Sequence, residues 1–433
     1  MAPQQSPSNG RNRVLVVGAG IVGTCCALWL QRLGFAVTLL DRNAPGSGCS
    51  AGNAGILHSG SVLPLATAGI LRRVPRMLLD PDGPLVVRWR YGASLMPWFA
   101  RFASHARASE VARISHILCV LLRQAPAATR ALVDEAGAVH LLRDQGELYV
   151  FQGETAAATT AAKVGYYQSH GIKVIELGAA ELRERVPALS ATYRHGCYLP
   201  DSAFTIDPRA LTVALAERFL TRGGTLAQGD VIDIQREEGG AVSAKTSDTT
   251  LSCDHLVIAA GAFSRRLASR AGTDVPLEAL RGYHLELPAR GAELYGPLID
   301  GDVNFGVIPM AGGHRLAGTI EFAGLDAPPN WHRATMLLAM ARKMLPTLDG
   351  TGAAQWMGHR PGLPDSLPMI GPLPHWPNVW CCFGHGTLGL TTAAVSGKAL
   401  AEAMAGLQPS LDLSSFRVER FSGVDKLAKV EAR

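Results

Sequence analysis

Near the N-terminus, Gly18-Ala19-Gly20-Ile21-Val22-Gly23 has the spacing G-x-G-x-x-G. Its chemistry would be to hold phosphate groups. The residues before it, Val14-Leu15-Val16-Val17, form a continuous apolar run rich in β-branched types. Such a run predicts a strand buried on both faces in a parallel sheet. Thr24 to Leu33 predicts an apolar helix ended by Gly34, and Phe35 to Leu40 a second strand closed by Asp41. Gly18 makes the tight turn, Gly20 lets backbone approach a pyrophosphate, and Gly23 lets helix and strand pack closely. The helix N-terminus, at Ile21 and Val22, supplies amide N–H groups and the positive end of a dipole. Asp41, near the position where a ribose hydroxyl is bound, accepts hydrogen bonds and disfavours a 2′-phosphate. The pattern predicts a dinucleotide site, with NADP disfavoured.

The βαβ unit alone does not distinguish NAD from FAD. Gly46-Ser47-Gly48-Cys49-Ser50-Ala51-Gly52-Asn53-Ala54-Gly55 is a small-residue loop after the second strand. It allows backbone to lie against a flat ligand. Leu256 to Ala262 reads as a buried strand ending in small residues, after a strand pair at 230–236 and 241–247. Phe383-Gly384-His385-Gly386-Thr387-Leu388-Gly389-Leu390-Thr391 opens an apolar helix running to about Ala405. A second helix N-terminus there can hold partial negative charge.

The elements that position these residues belong to a large globular chain. It has 433 residues, 47% apolar and only 18% charged, with 47 glycines. This excludes an intrinsically disordered chain. Eight cysteines, at 25, 26, 49, 119, 197, 253, 381 and 382, form no C-x-x-C and no zinc spacing with histidine. No metal site and no disulfide framework is expected, and buried thiols in a reducing cytosol are. Met1 to Asn12 reads as a disordered tail. The apolar run Val14–Leu30 carries glycines at 18, 20 and 23 and lacks a cleavage site, so it is not read as a signal peptide. The expected location is cytoplasmic, with attachment to the inner face of the cytoplasmic membrane left open.

These segments resemble the FAD-dependent oxidoreductases of the D-amino-acid oxidase, glycine oxidase and sarcosine oxidase type. Within that group the chain is most similar to bacterial D-amino acid and D-hydroxyproline dehydrogenases. Further segments carry the resemblance: Arg281-Gly282-Tyr283-His284, Gly318-Thr319-Ile320-Glu321-Phe322, Gly358-His359-Arg360-Pro361 and Pro364-Asp365-Ser366-Leu367-Pro368-Met369-Ile370-Gly371. It implies an α/β fold, with a Rossmann-like FAD-binding domain of the glutathione-reductase kind. A second, discontinuous substrate domain is built on an antiparallel sheet. The FAD domain would take 12–80, 200–272 and 352–406, and the substrate domain 81–199 and 273–351. Residues 1–11 and 407–433 would be tails. Leu95–Gly137, apolar and rich in Ala and Arg, is expected to be helical.

The resemblance also implies the site. The cofactor would be held by Gly18, Gly20, Ile21, Val22, Gly23, Asp41, Arg42, Ser50, Asn53, Ala54 and Gly55. Val231, Ala260, Gly261, Gly384, Gly386, Leu388, Gly389, Leu390 and Thr391 complete the set. FAD is expected to be non-covalent, because Gly52-Asn53-Ala54-Gly55 has no His where covalent relatives attach it. Arg360 is the expected carboxylate anchor, since a planar guanidinium binds a carboxylate through two parallel hydrogen bonds. The Gly384–Thr391 turn, with His385, would face the flavin edge where negative charge develops. Tyr283 would border the substrate, with His284 beside it; His58, His359 and Glu321 are weaker candidates. If the amine is neutral when bound, hydride would leave Cα for flavin N5 as the imine forms, with no general base strictly required.

The electron acceptor, oxygen or a quinone-type carrier, is addressed only by charge placement. Arg72, Arg73, Arg76, Arg88, Arg90, Arg101 and Arg107 stand against Asp80 and Asp82 between Thr67 and Arg107, an excess equal to the whole chain's +5. Trp89, Trp98, Phe99 and Phe102 are interleaved. Basic residues beside aromatics suit an anionic membrane surface; they equally suit a solvated helical face over buried rings. A flavin-dependent 2-hydroxy acid dehydrogenase, or a subunit of a heteromeric flavoprotein inactive alone, are the alternative functions. A nucleic-acid partner is not expected, because no extended basic surface is evident.

Overall fold

The computed structural model describes residues 13–79, 83, 85–290 and 293–421. The expected tail 1–11, residues 422–433 of the expected C-terminal tail, and Asp80 and Asp82 lie outside them.

The N-terminal apolar run is the strand Arg13–Val17, buried from Val14 onward. It lies inside a six-stranded sheet with the order Thr225–Gln228, Ala36–Asp41, Arg13–Val17, His255–Ile258, Trp376–Phe383, Met369–Leu373. The first five are parallel and the last is antiparallel. Burial on both faces explains the unbroken Val/Leu/Ile runs. The helix Ile21–Arg32 covers one face and is buried from Ile21 to Leu30 at most positions. It packs against the C-terminal helix Gly389–Met404. There a Cβ at Gly397 would lie 2.9 Å from the backbone of Cys25 and Cys26. Cys25, Cys26, Cys381 and Cys382 are buried and unpaired, as the composition led one to expect.

The strand pair expected at 230–236 and 241–247 is a three-stranded antiparallel meander: Asp233–Arg236, Val242–Lys245 and Thr250–Cys253. Val231 precedes its first strand.

A second layer is a ten-stranded sheet. At its centre, Glu278–Pro288 pairs antiparallel with Gly313–Ala317 and Ile320–Phe322 on one edge and Ala354–Gly362 on the other. The sheet is mixed rather than wholly antiparallel: Leu298–Asp300 runs parallel to Glu147–Gln152, and Leu85–Val87 parallel to Ile320–Phe322. Ala354–Gly362, which the sequence assigns to the nucleotide-binding segment 352–406, is hydrogen-bonded into this sheet along its length.

The stretch Leu95–Gly137 is helical but broken. Trp89–Ser104 and Ala108–Glu135 are separate helices. The break lets the first lie against the large sheet, with Leu95, Trp98 and Phe102 buried beside Leu280 and Phe322. The second joins the core around the first nucleotide-binding helix. Trp98 and Phe102 therefore face inward, whereas Trp89 is 82% exposed.

Candidate active site

A cavity of about 1690 Å³ extends from the N-terminal glycine turn to the large sheet. Eighteen of the twenty-three residues assigned to the site from sequence line it: Gly18, Gly20, Ile21, Val22, Asp41, Arg42, Ser50, Asn53, Ala54, Val231, Ala260, Gly261, Arg360, His385, Gly386, Leu388, Gly389 and Leu390.

Its phosphate end is built from backbone. Gly18 has φ +112°, and a Cβ there would fall 2.4 Å from the Ala259 carbonyl oxygen. A Cβ on Gly23 would fall 1.8 Å from the Gly18 oxygen, so this residue seats the helix on the strand from behind the cavity. The helix begins at an N-cap glycine, Gly20, with no acidic residue in its first turn, leaving the approach open to an anion. Asp41 accepts from the Ala19 amide at 2.7 Å and the Asn43 amide at 2.9 Å. A carboxylate accepts about four hydrogen bonds, so lone pairs remain for a ribose. The Ser50 hydroxyl oxygen accepts from the Ile21 amide at 2.9 Å, tying the small-residue loop to the helix start. Arg42 lies 4.0 Å over the Phe263 ring and 3.9 Å from Asp230, and all three line the cavity.

The far end is built by the C-terminal turn. The Gly386 amide donates to the Pro361 carbonyl at 2.8 Å, and Gly362 forms a bridge with His385. The strand end that carries Arg360 is thereby fastened to the Gly384–Leu390 turn. His385 Nε2 is 3.0 Å from the Ser396 hydroxyl, while its Nδ1 has no hydrogen-bond partner among the described residues. An orphaned buried nitrogen on this turn suits a cofactor heteroatom. The glycine turn, the acid at the second strand's end and this second helix entry together fit a dinucleotide bearing a flat ring system.

The sequence profile of the family described as FAD dependent oxidoreductase matches residues 13–403. The chain belongs to that family. This flavoprotein is 35% identical over 419 residues to a D-amino-acid oxidase of Bradyrhizobium diazoefficiens, covering 94% of this chain and 98% of that one. It is 32% identical to a D-amino acid dehydrogenase of Paramagnetospirillum magneticum, covering 95% and 99%. In fold it resembles glycine oxidase from Geobacillus kaustophilus, with a TM-score of 0.71 at 22% identity, covering 94% of this chain and 98% of that one. It also resembles L-proline dehydrogenase from P. horikoshii, with a TM-score of 0.73 at 16% identity, covering 95% and 98%. At those identities the two structures speak for the fold alone.

The strands Glu278–Pro288 and Ala354–Gly362 supply the floor over which a substrate would lie. In their register Leu280 faces Arg360, Gly282 faces Gly358, and His284 faces Trp356. The paired glycines leave bare backbone, and the flanking side chains fold over it. A Cβ on Gly282 would meet the Arg360 guanidinium at 2.2 Å, and one on Gly358 the Trp356 indole at 2.0 Å. Arg360 donates to the Thr319 carbonyl at 3.1 Å. Among the described residues no carboxylate lies within ion-pair distance of it. Burial pulls its pKa below the ordinary value, with the nearby Cys49 thiol opposing. Trp356, which sequence reasoning missed, also abuts Gly52 of the small-residue loop. Its signal was available: it stands four residues before Arg360, on the same face of a strand.

Five expected residues do not line the cavity. Gly23 and Gly384 pack behind it, the latter under Leu363. Gly55 turns the chain and accepts from the Thr205 amide at 2.8 Å. Thr391 ties the C-terminal helix to the Ile56 carbonyl and the His58 amide, both at 3.2 Å. Tyr283 is on the opposite face of its strand from Gly282 and His284. Its hydroxyl donates to Glu321 at 2.5 Å and accepts from the Asn330 amide at 2.9 Å. Arg281 shares that face, donating to the carbonyls of Gly324, Ala327 and Pro328. Tyr283 and Glu321 are thus braces for the 324–330 loop.

His58 lines the cavity, and its Nδ1 is 2.9 Å from the Glu147 carboxylate, which also accepts from the Ser202 hydroxyl at 2.9 Å. Burial opposes the Glu147 charge, but His58 and Ser202 outweigh it and hold its pKa below the ordinary value. Lys163, on the helix Ala156–Ser169, lines the same cavity 3.8 Å over the Tyr149 ring. A lone lysine on a weakly patterned helix gives no sequence signal.

His284 stacks on Trp356 with ring centroids 4.7 Å apart. Burial, then Arg315, pull its pKa down to about 3, and burial alone brings His385 to about 3. Both are neutral in the folded chain at pH 5, where unfolded histidines of ordinary pKa near 6.5 are protonated. The unfolded state then binds more protons, so stability rises with pH and is lost as pH falls from about 6.5 toward 3. Thermal midpoints measured between pH 7.5 and 4.5 are expected to fall, and to fall less steeply for His385→Gln. Identical slopes for the two proteins would reject this source.

Proposed function

We propose that this flavoprotein oxidises a D-amino acid, or a cyclic imino acid such as D-hydroxyproline, to the corresponding imino acid. The observation that carries the reading is Arg360, a half-buried residue lining the cavity with no carboxylate partner among the described residues. Burying a charge without a partner is costly, and a substrate carboxylate supplies one on binding. The relatives named as acting on D-amino acids support the D configuration.

Bound FAD supplies a two-electron acceptor for the hydride that leaves Cα. Gly18, Gly20 and the Ile21–Arg32 helix entry would hold its pyrophosphate, and Asp41 its ribose. Arg360 fixes the carboxylate, and with it the direction in which the Cα–H bond points. The turn at Gly386–Leu390, fastened to the Pro361 carbonyl, would bring the N-terminus of the helix Gly389–Met404 to the flavin edge where negative charge gathers on reduction. The domain division we infer keeps 12–80, 200–272 and 352–406 around the dinucleotide and 81–199 with 273–351 above it. The strand Ala354–Gly362 is their seam.

The test is an anaerobic panel of D- and L-amino acids, prolines, glycine, sarcosine and 2-hydroxy acids, following the loss of the flavin's yellow absorbance. D-amino or D-imino acids are expected to bleach it. Bleaching by hydroxy acids alone would overturn the amine reading, and bleaching by none would leave a partner-dependent subunit. With no His in the stretch Gly52-Asn53-Ala54-Gly55 that matches the covalent attachment segment of relatives, acid precipitation should leave all the flavin in the supernatant. Flavin in the pellet would refute non-covalent binding.

Electrons then pass to oxygen or a quinone-type carrier. No helix among the described residues is long and apolar enough to cross a membrane. The inward turn of Trp98 and Phe102 leaves Trp89, Arg72, Arg73, Arg90 and Arg107 as the exposed group of the Arg-rich segment. We infer peripheral contact with an anionic surface through these residues. Arg72→Glu with Arg73→Glu should then lower co-sedimentation with vesicles containing phosphatidylglycerol. Equal binding by variant and parent would remove this surface from the account.

A further inference from the structure

We propose that His58, oriented by Glu147, is the base that takes the ammonium proton of the bound substrate. The inference rests on the D-amino acid reading above and deepens it. An amino or imino acid reaches the site as a zwitterion. Its ammonium nitrogen has no lone pair, so hydride cannot leave Cα until a proton has left nitrogen. In a closed cavity that proton needs an acceptor within hydrogen-bond reach.

Three histidines line the cavity, at 58, 359 and 385. Burial pulls the His385 pKa down to about 3, and burial, then Arg281, lowers that of His359. Burial thus works against a proton on either ring. The carboxylates of the cavity lining, Asp41 and Asp230, belong to its nucleotide end. His58 has the opposite surroundings. Its Nδ1 is 2.9 Å from the Glu147 carboxylate. The other Glu147 oxygen accepts from the Ser202 hydroxyl, which is itself 2.8 Å from the Ser59 hydroxyl. A charged acceptor at Nδ1 keeps the hydrogen there and leaves the lone pair on Nε2. Among the described residues Nε2 makes no hydrogen bond. Glu147 then offsets the charge of the imidazolium once the proton has arrived.

Base and anchor are fastened to one short segment. The His58 amide donates to the Thr391 hydroxyl at 3.2 Å, and the Gly386 amide to the carbonyl of Pro361, next to Arg360. Leu388, Gly389 and Leu390 of that segment also line the cavity. The other titratable groups around Glu147 are Tyr149 on its own strand, and Lys163 and Tyr167 on the helix Ala156–Ser169. Burial pushes both phenols up, so they stay protonated. Burial pulls Lys163 down, which makes it the competing base. In the step itself, Nε2 takes one ammonium proton. The freed nitrogen pair closes the C=N bond as hydride leaves Cα. The substrate so gives one proton to His58 and one hydride to the bound flavin, and His58 returns its proton to solvent as product leaves.

The experiment uses the FAD-loaded full chain, isotope-labelled at the histidine ring nitrogens. It is saturated with α-methylalanine, which has an ammonium and a carboxylate but no Cα–H bond. One ring is expected to change from the neutral to the imidazolium nitrogen signature, and that change to be missing in His58→Gln. Binding with no histidine changing state overturns the proposal. Bleaching by D-amino acids gives the kinetic arm. In the parent, kcat/KM should rise from acid pH to a plateau. His58→Gln, with flavin content and thermal midpoint kept, should lose about 100-fold at neutral pH. It should also lose the plateau, climbing with pH until the free substrate has shed its own ammonium proton. Glu147→Gln keeps an acceptor for Nδ1 without the charge, and should fall between parent and His58→Gln. A plateau that survives in His58→Gln, or that vanishes in Lys163→Met instead, overturns His58 as the base and leaves the D-amino acid reading standing. If no amino acid bleaches the flavin, that reading fails and this inference with it.

Discussion

Arg360→Ala is expected to weaken substrate binding by about 2–5 kcal/mol, the usual cost of removing one partner from a buried, hydrogen-bonded charge pair. The direction follows from the floor on which this side chain lies. Its guanidinium folds over Gly282, held to the Thr319 carbonyl, while the neighbouring Arg281 lies on the opposite face of the strand against the carbonyls of Gly324, Ala327 and Pro328. Arg360→Lys should recover only a fraction, because a point charge cannot form two parallel hydrogen bonds. Gly282→Ala tests the same geometry without touching the arginine. The new methyl would sit 2.2 Å from the guanidinium and must displace it. Dissociation constants for a slow substrate or a carboxylate inhibitor, measured with flavin content confirmed, read both. A change under about threefold in Arg360→Ala would remove Arg360 from the anchor role.

Gly18→Ala should lose most of the bound flavin and destabilise the chain by about 1–3 kcal/mol. A left-handed φ and a backbone oxygen 2.4 Å from the new methyl combine here, and a carbonyl directly after a central strand cannot swing aside as a side chain can. The flavin-to-protein ratio after gel filtration and the thermal midpoint of the apoprotein separate the two effects. A variant that keeps a full complement of flavin would show that the turn has more slack than its geometry indicates.

The nucleotide end was legible in the sequence because its information is local. The Val14–Val17 run, the three glycines and Asp41 lie within 28 consecutive residues, and hydrogen bonds such as Ala19 to Asp41 close within that span. The substrate floor was only partly legible. Glu278–Pro288 is buried on both faces over most of its length, so it has no alternation to say which residues face the cavity. The choice between Tyr283 and His284 therefore depends on register, and the structure turns Tyr283 away. The aromatic residues at 98, 99 and 102 posed a similar difficulty. Their spacing describes a helix face, but only the neighbouring strand Ile320–Phe322 decides that this face is inward. Lys163 and Trp356 reach the cavity through contacts between distant segments, which no local pattern encodes.

The strand order of the nucleotide-binding sheet has a consequence for synthesis. Arg13–Val17 is flanked by Ala36–Asp41 on one side and His255–Ile258 on the other. At about 5–20 residues per second, the roughly 240 residues between Val17 and His255 take about 12–48 s to be translated. Through that interval one edge of a strand that is apolar from Val14 to Val17 has no native neighbour, an aggregation hazard while the chain is still tethered to the ribosome. The C-terminal turn arrives later still, so the pocket closes only when nearly the whole polypeptide has emerged. Slow or stalled translation should thus harm the yield of this protein more than its equilibrium stability would suggest, and holdase chaperones that cover the open edge should restore it.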